Sequence, residues 1–296
     1  MSTKRDTLPE ARSVHEIELI ANAMRHDIIT MITAAKSGHP GGSLSCADLL
    51  ATLYFSGVMH YDPSDPKAPW RDYLILSKGH AAPALYAAFH QLGWVKDEEL
   101  PTLRHLGSRL QGHPDCKLLP GVEVCSGSLG QGLSVSSGVA LGLRADAKAT
   151  GSKPAHVFCV CGDGEMQEGS NWEALMYAAH RHLDNLTMYL DLNNLQIDGN
   201  VNDVNSLGDI HAKLAAFGWN VLEVDGHDVA ALIDVTRQAL QHEGQPTAVI
   251  CHTVKGKGVP FMEDQVDWHG KAPSEELAAE AMDALDQERD RLLREA

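Results

Sequence analysis

The chain has 296 residues, 44% of them hydrophobic, enough to bury one large α/β core or two smaller ones. Lysine and arginine number 24 against 40 aspartate and glutamate, a formal net charge of −16. That balance excludes the basic surface that nucleic acid requires, so any anionic ligand must be held by local groups.

The first twelve residues are polar and mixed in charge, with no apolar leader, and no run approaches the roughly 18 apolar residues of a membrane span. A cytoplasmic protein is expected. Residues 14–36 place Ile17, Ile20, Met24, Ile28, Met31 and Ala35 at helical spacing. Glycine and proline in Ser37-Gly38-His39-Pro40-Gly41-Gly42 then predict a loop. Helices follow over 47–55 and 81–92, with a short strand over 73–76 between them. The glycine-rich stretch 127–132 opens a helix that runs to about 148. Residues 156–161, 186–190, 219–224 and 247–251 are apolar strand candidates. Helices are expected over 171–182, 207–216 and 229–241, and a charged terminal helix over 274–296. Strands alternating with helices imply an α/β fold, a parallel sheet flanked by helices on both faces. Right-handed crossovers place the strand C-termini on one edge, where ligands bind in such folds. The segment 253–272 is long for a connection, which often marks function. The six cysteines include no CxxC pair, and several lie in apolar runs. They read as buried reduced thiols.

Gly162-Asp163-Gly164 directly follows one strand candidate, and Asp191-Leu192-Asn193-Asn194 ends the next. Glycines there let a ligand approach the backbone closely. Asp163 and Asn193, at the ends of neighbouring parallel strands, can share one oxygen-liking cation. Mg²⁺ and Ca²⁺ take oxygen ligands, and Mg²⁺ commonly completes its shell with phosphate oxygens and water. The cation would neutralise phosphate that an acidic chain could not attract by net charge. Taken singly, a Gly-Asp-Gly turn or an Asn-Asn loop is commonplace. The pair, one helix apart at two strand ends, is specific.

That pair resembles the signature of thiamine-diphosphate enzymes. Further motifs, in order, resemble transketolase across nearly the whole chain: Ser37 to Gly42, Leu76-Ser77-Lys78-Gly79-His80-Ala81, Gly112-His113-Pro114, Gly127-Ser128-Leu129-Gly130-Gln131-Gly132, Gly164-Glu165-Met166-Gln167-Glu168-Gly169, Asn194-Leu195-Gln196-Ile197-Asp198-Gly199, Asp225-Gly226-His227-Asp228 and Lys255-Gly256-Lys257-Gly258. The resemblance implies a thiamine-diphosphate-binding fold of the diphosphate type, with thiamine diphosphate and Mg²⁺ (or Ca²⁺ or Mn²⁺) as cofactors. By the same resemblance Asp163, Asn193 and the carbonyl of Leu195 are the metal ligands, and Gly164 contacts the diphosphate. His80 and His269 reach its diphosphate side. Gly127, Ser128 and Leu129 lie against its rings, although the family usually carries proline where this chain has Ser128. His39, His80, His113 and His269 are the catalytic candidates, since ketol transfer moves protons at sugar hydroxyls and imidazole suits that work. Any one histidine alone is more often a satisfied polar group; these sit on glycine- or proline-flanked loops, which weakens that explanation. His90, His105, His180, His182 and His242 lack such a context. Lys255 and Lys257 either close over the diphosphate or form a solvated turn. Glu168 resembles an interface glutamate.

The resemblance also implies two further domains, one binding the aminopyrimidine and one C-terminal. The expectation is therefore a single diphosphate-binding domain over 1–296, the N-terminal subunit of a split transketolase. It would form an α2β2 heterotetramer with a C-terminal subunit and act on sugar phosphates, by default those of the pentose phosphate pathway. Competing expectations are the alpha chain of a 2-oxo-acid dehydrogenase, which leaves the motifs around His39 and His80 unexplained, and 1-deoxyxylulose-5-phosphate synthase, which lacks the His39-Pro40-Gly41-Gly42 wording. A non-catalytic scaffold would have no need of Asp163, Asn193 and four such histidines.

Overall fold

Residues 9–295 are described by a computed structural model; residues 1–8, most of the polar start, and Ala296 lie outside it. The elements in chain order are α1 (Val14–Ala35), α2 (Pro40–Ser45), α3 (Ala47–Phe55), β1 (Tyr73–Leu76), α4 (Ala82–Gln91), α5 (Gln131–Thr150), β2 (Val157–Gly162) and α6 (Gly169–His180). Then come β3 (Leu186–Leu192), β4 (Leu195–Gln196), β5 (Gly199–Asn200), α7 (Val201–Asn205), α8 (Ile210–Ala216), β6 (Asn220–Asp225), α9 (Val229–Gln241), β7 (Thr247–His252) and α10 (Glu275–Glu295).

Five strands form one parallel sheet in the order β1-β2-β3-β7-β6. Its central strands are apolar along their length because both faces are covered. Phe158, Val160, Tyr189 and Val249 point into a core shared with α1, α3, α4, α9 and α10. Their neighbours Val157, Cys159, Cys161, Met188 and Ile250 point the other way, against α5, α6 and α8. The helices that lead directly into β2 and β3, α5 and α6, lie on one face, while β6 returns to β7 through α9 on the opposite face. The direction of winding therefore reverses between β3 and β7. The chain leaving β3 turns towards α7 and α8, and the chain leaving β7 turns towards α10. The crevice that opens at such a reversal is where this architecture binds ligands.

Local sequence explains the ends that matter. Ser13 and Glu16 form a reciprocal capping box at the start of α1, with Glu16 N–H donating to Ser13 Oγ at 3.2 Å. The expected loop at 37–42 is shorter than anticipated. Pro40 occupies the first turn of α2, where its missing N–H has no intrahelical partner to lose, and the glycines behind it are buried within the helix. The β4–β5 hairpin and α7 were not anticipated either, being too short to show periodicity. The segment 253–272 is no solvated loop: Val259, Met262 and Trp268 anchor it in the core. Among the described residues no helix is long and apolar enough to cross a membrane.

Candidate active site

A cleft of ≈ 500 Å³ opens at the C-terminal edge of β2, β3 and β7. Register explains the convergence, because Gly162 at the end of β2 pairs with Asp191 near the end of β3. The next residues of both strands, Asp163 and the stretch 192–195, emerge side by side. Asp163 Oδ1 accepts from Gly164 N–H at 2.7 Å, and its Oδ2 accepts from Asn194 N–H at 2.5 Å. Asn194 itself is exposed with φ +62°, whereas Asn193 is buried and donates through Nδ2 to Asp191 Oδ2 at 3.2 Å. That bond assigns the amide orientation and leaves Asn193 Oδ1, which also accepts from Leu195 N–H at 3.1 Å, on the cleft side.

A buried ionic network lies under this floor. The Lys78 ammonium is paired with Asp191 and donates to the Gly42 carbonyl at 2.7 Å. Asp191 also accepts from Ser45 Oγ at 2.7 Å and from Thr253 Oγ1. Burial opposes charge on both partners, but each holds the other ionised: Lys78 is raised above the ordinary lysine range and Asp191 lowered below the carboxylate range. A second buried carboxylate, Glu165, accepts from Ser77 Oγ at 2.5 Å, Gly130 N–H at 2.9 Å and Gly162 N–H at 3.1 Å. It ties three of the motifs together.

Lys255 is 1% exposed, so the solvated-turn alternative does not hold for it, while Lys257 is half-buried. The Lys255 ammonium donates to the Leu195 carbonyl at 2.8 Å and to His269 Nδ1 at 2.7 Å. Burial and the nearby Lys78 lower it to about 8. The preceding residue is fixed from below. Val254 N–H donates to His227 Nε2 at 2.8 Å, and His227 Nδ1 lies 2.7 Å from Asp48 Oδ2. The motif 225–228 thus holds the lysine-bearing turn in place.

Three of the four expected histidines form one cluster, with ring centroids 5.1 Å apart for His39–His80, 5.3 Å for His80–His269 and 5.6 Å for His39–His269. His113 packs against Gly127, which has φ +133°; a β-carbon there would lie 2.8 Å from the His113 ring. Burial lowers all four: His39 to about 4, helped by Arg104, and His269 to about 3, helped by Lys255. His80 falls well below the usual range by burial and by Lys78, and His113 is lowered by burial and Arg104. All four are therefore neutral imidazoles at pH 7, each with one donor and one acceptor. Asp163 moves the other way, raised to about 6 by burial and by the Asp191 charge.

Of the residues expected from sequence to bind metal, cofactor or sugar, all but Ser128 line this cleft, and Lys257 lies outside it. Ser128 is exposed and stands outside it. Lys78, Asp191, Glu165 and Arg104 were missed as site residues. Their signal was faint: a charged residue at the end of an apolar strand for Asp191, and motif membership without a role for Lys78 and Glu165. Arg104, which donates to Ser37 Oγ at 2.6 Å and lies 3.3 Å from His39 Nδ1, has no motif context at all. The uniform expectation for the cysteines needs correction too. Cys46, Cys159, Cys161 and Cys251 are buried, but Cys116 is half-buried and Cys125 exposed, because they lie on the loop before α5 and not in a strand.

The donor set suits a divalent cation with a phosphate ligand. A carboxylate, an amide oxygen and a carbonyl converge, and the Leu195 carbonyl keeps a lone pair beyond its bond to Lys255. A cation would lower the raised Asp163 by supplying the missing counter-charge. Two ammonium groups flank the same space, and Gly164 admits close approach: a β-carbon there would sit 3.1 Å from Gln196 Cβ.

Comparison with known proteins agrees with this geometry. Residues 17–291 match the family described as the thiamine diphosphate binding domain of transketolase. The chain is 40% identical to the 6-deoxy-6-sulfo-D-fructose transketolase subunit SqwG of Clostridium sp. (strain MSTE9), covering 90% of this chain and 95% of that protein. It is 39% identical to an apulose-4-phosphate transketolase subunit of Actinobacillus succinogenes, covering 95% and 99%. It is 41% identical to the transketolase-like protein 2 of Mus musculus, covering 92% of this chain and only 42% of that one. The crystal structure of Campylobacter jejuni transketolase superposes with a TM-score of 0.86 at 32% identity, again over 93% of this chain and 43% of the other. The chain thus spans about two-fifths of the single-chain transketolases it matches, and nearly the whole of the two named subunits. Fold, cleft and sequence agree that this chain belongs to the transketolase thiamine-diphosphate-binding family.

Proposed function

We propose that this chain is the N-terminal, diphosphate-binding subunit of a two-chain transketolase, a single domain over 1–296. It would transfer a two-carbon ketol unit between anionic sugars, with thiamine diphosphate and Mg²⁺ (or Ca²⁺ or Mn²⁺). The observation that carries the proposal is the convergence of Asp163, Asn193 and Leu195 with two buried lysines and four neutral histidines in one cleft. Asp163, Asn193 Oδ1 and the Leu195 carbonyl would hold the cation. Gly164 N–H and Lys255 would meet the diphosphate, with His80 and His269 alongside, and Gly127 and Leu129 would flank the rings. Thiamine diphosphate, when bound, supplies a thiazolium centre that stabilises carbanion character, chemistry no side chain provides. His39, His113, His80 and His269 would exchange protons with sugar hydroxyls, and Arg104 beside His39 offers positive charge at the mouth. An anionic ligand raises neighbouring imidazoles, bringing them nearer neutral pH, where general acid–base catalysis works best.

The cleft is open on one side. Leu129 is 36% and Ile197 64% exposed at its rim, and Glu168 is exposed between them. Apolar rim residues that face water support a second chain completing the site, and we assign to it the pyrimidine-binding and C-terminal domains, in an α2β2 assembly. The two relatives of subunit length act on a sulfonated fructose and on apulose 4-phosphate according to their names, so an anionic ketose from a dedicated sugar route is as consistent with this chain as a pentose phosphate. The test is ketol transfer by this chain alone, by the product of the adjacent reading frame alone, and by the two mixed with thiamine diphosphate and Mg²⁺. Activity confined to the mixture and lost with Asp163→Ala is expected. Activity of this chain alone, or a mixture indifferent to the cofactor, would refute the proposal.

A further inference from the structure

The loop between His113 and the glycine stretch before α5 carries a cluster that the cleft does not use. Cys116 Sγ lies 3.4 Å from Cys125 Sγ. Cys125 Sγ lies 3.5 Å from Asp115 Oδ1, and the three ligand atoms all fall within 4.8 Å of one another. Backbone groups hold them in place. Cys116 N–H donates to Cys125 Sγ at 3.4 Å, Lys117 N–H donates to Asp115 Oδ1 at 2.8 Å, and Ser126 N–H donates to the Pro114 carbonyl at 3.3 Å, joining the two arms of the loop. Leu119 and Val122, both buried, pin the turn between those arms to the core.

We infer that Asp115, Cys116 and Cys125 form a binding site for a thiophilic divalent cation of the Zn²⁺ class. Two of the three separations lie near its geometry. Tetrahedral Zn²⁺ with bonds of about 2.3 Å to sulfur and about 2.1 Å to oxygen spans about 3.8 Å between two sulfurs and about 3.6 Å between sulfur and oxygen. The observed 3.4 and 3.5 Å need only a small adjustment. A disulfide would need the sulfurs at about 2.0 Å and would not engage the Asp115 carboxylate. A cation uses all three groups. The N–H donor on Cys125 sulfur is the kind of hydrogen bond that steadies a metal thiolate. Three protein ligands leave a fourth position open to water or an exogenous ligand. Cys125 is exposed, so the cation has a path in. The site stands close in sequence to His113 on one side and Gly127 on the other. A bound ion therefore staples the loop that carries one sugar-channel histidine and one cofactor contact, and this consequence rests on the proposed function while the binding itself does not.

The experiment uses the full chain, reduced and freed of excess thiol, titrated with Co²⁺ and then Zn²⁺. One equivalent of Co²⁺ should produce a thiolate-to-cobalt charge-transfer band that one equivalent of Zn²⁺ abolishes. Cys116→Ser, Cys125→Ser and Cys125→Ala should each remove the band and weaken Zn²⁺ binding at least tenfold; Asp115→Asn should weaken binding and retain the band. Asp163→Asn should leave the band intact, because an all-oxygen site gives none, which separates this test from that of the cofactor site. No band in the wild-type chain, a band that survives both Cys125 variants, or a thiol count showing Cys116 and Cys125 already joined as a disulfide in the protein purified without reductant would each overturn the assignment.

Discussion

Replacing Lys78 by methionine keeps the unbranched apolar stem of the side chain and deletes its charged terminal group. In the wild-type chain Lys78 and Asp191 are 1% and 0% exposed, so water can screen neither. Removing one partner of a buried pair strands the other charge, at a cost of about 3–5 kcal/mol. Asp191 keeps donors from Ser45, Thr253 and Asn193, which places Lys78→Met near the lower end, about 3 kcal/mol. The Gly42 carbonyl also loses its 2.7 Å partner, adding about 1 kcal/mol. For a domain of this size such a loss lowers the midpoint by on the order of 10 °C. Asp191→Asn should cost a similar amount, since it strands the ammonium. The double variant removes both charges and should recover at least about 2 kcal/mol relative to the sum of the singles, a coupling typical of contacting residues. Urea unfolding of the four proteins measures the cycle. Additive losses, or a Lys78→Met variant within about 1 kcal/mol of wild type, would show that the pair is solvated and that the floor of the cleft is not organised by this network.

Three further outcomes are expected. Thiamine diphosphate with Mg²⁺ at a concentration about a thousandfold above Kd should stabilise the assembled protein by about 4 kcal/mol; Asp163→Asn or chelation of the metal should abolish that shift in a thermal scan, and an unchanged shift would remove Asp163 from the cation site. Lys255→Met should raise the thiamine diphosphate concentration for half-maximal stabilisation by about tenfold or more, the loss of a hydrogen bond to a charged group, and an unaltered requirement would return Lys255 to a purely structural place beside Leu195. Burial pulls His90 down, but hydrogen bonds to Asp27 and Asp97 outweigh it, so its folded value is raised. Its contribution to stability is therefore fully present below the unfolded pKa of about 6.5 and is lost as pH rises through the higher folded value. His90→Gln should flatten the fall in stability across that window, and parallel curves for the two proteins would contradict it.

The sheet was legible in the sequence because its signal is local. Largely apolar, β-rich runs at 156–161, 186–190 and 247–251 fit strands buried on both faces, and the helices between them leave little choice of connection. Gly162-Asp163-Gly164 and Asn193 were legible for the same reason, since each sits at the end of a strand that announces itself. The edge strand β6, with half-exposed residues, and the short α2 and α7 carried weaker patterns.

What only the tertiary structure decided is the pairing of charge over long separations. Lys78 meets Asp191 across 113 residues, Glu165 meets Ser77 across 88, and Lys255 meets Leu195 across 60. A lysine or glutamate in a motif reads from sequence as solvated, because burying an unpaired charge is prohibitive; the partner that permits burial is set by strand register and loop closure, which no local pattern encodes. The same holds for Cys116 and Cys125, brought within 3.4 Å by a turn pinned to the core. Sequence alone therefore determined which strand ends meet at the cleft, and the three-dimensional chain decided which buried charges hold those ends in place.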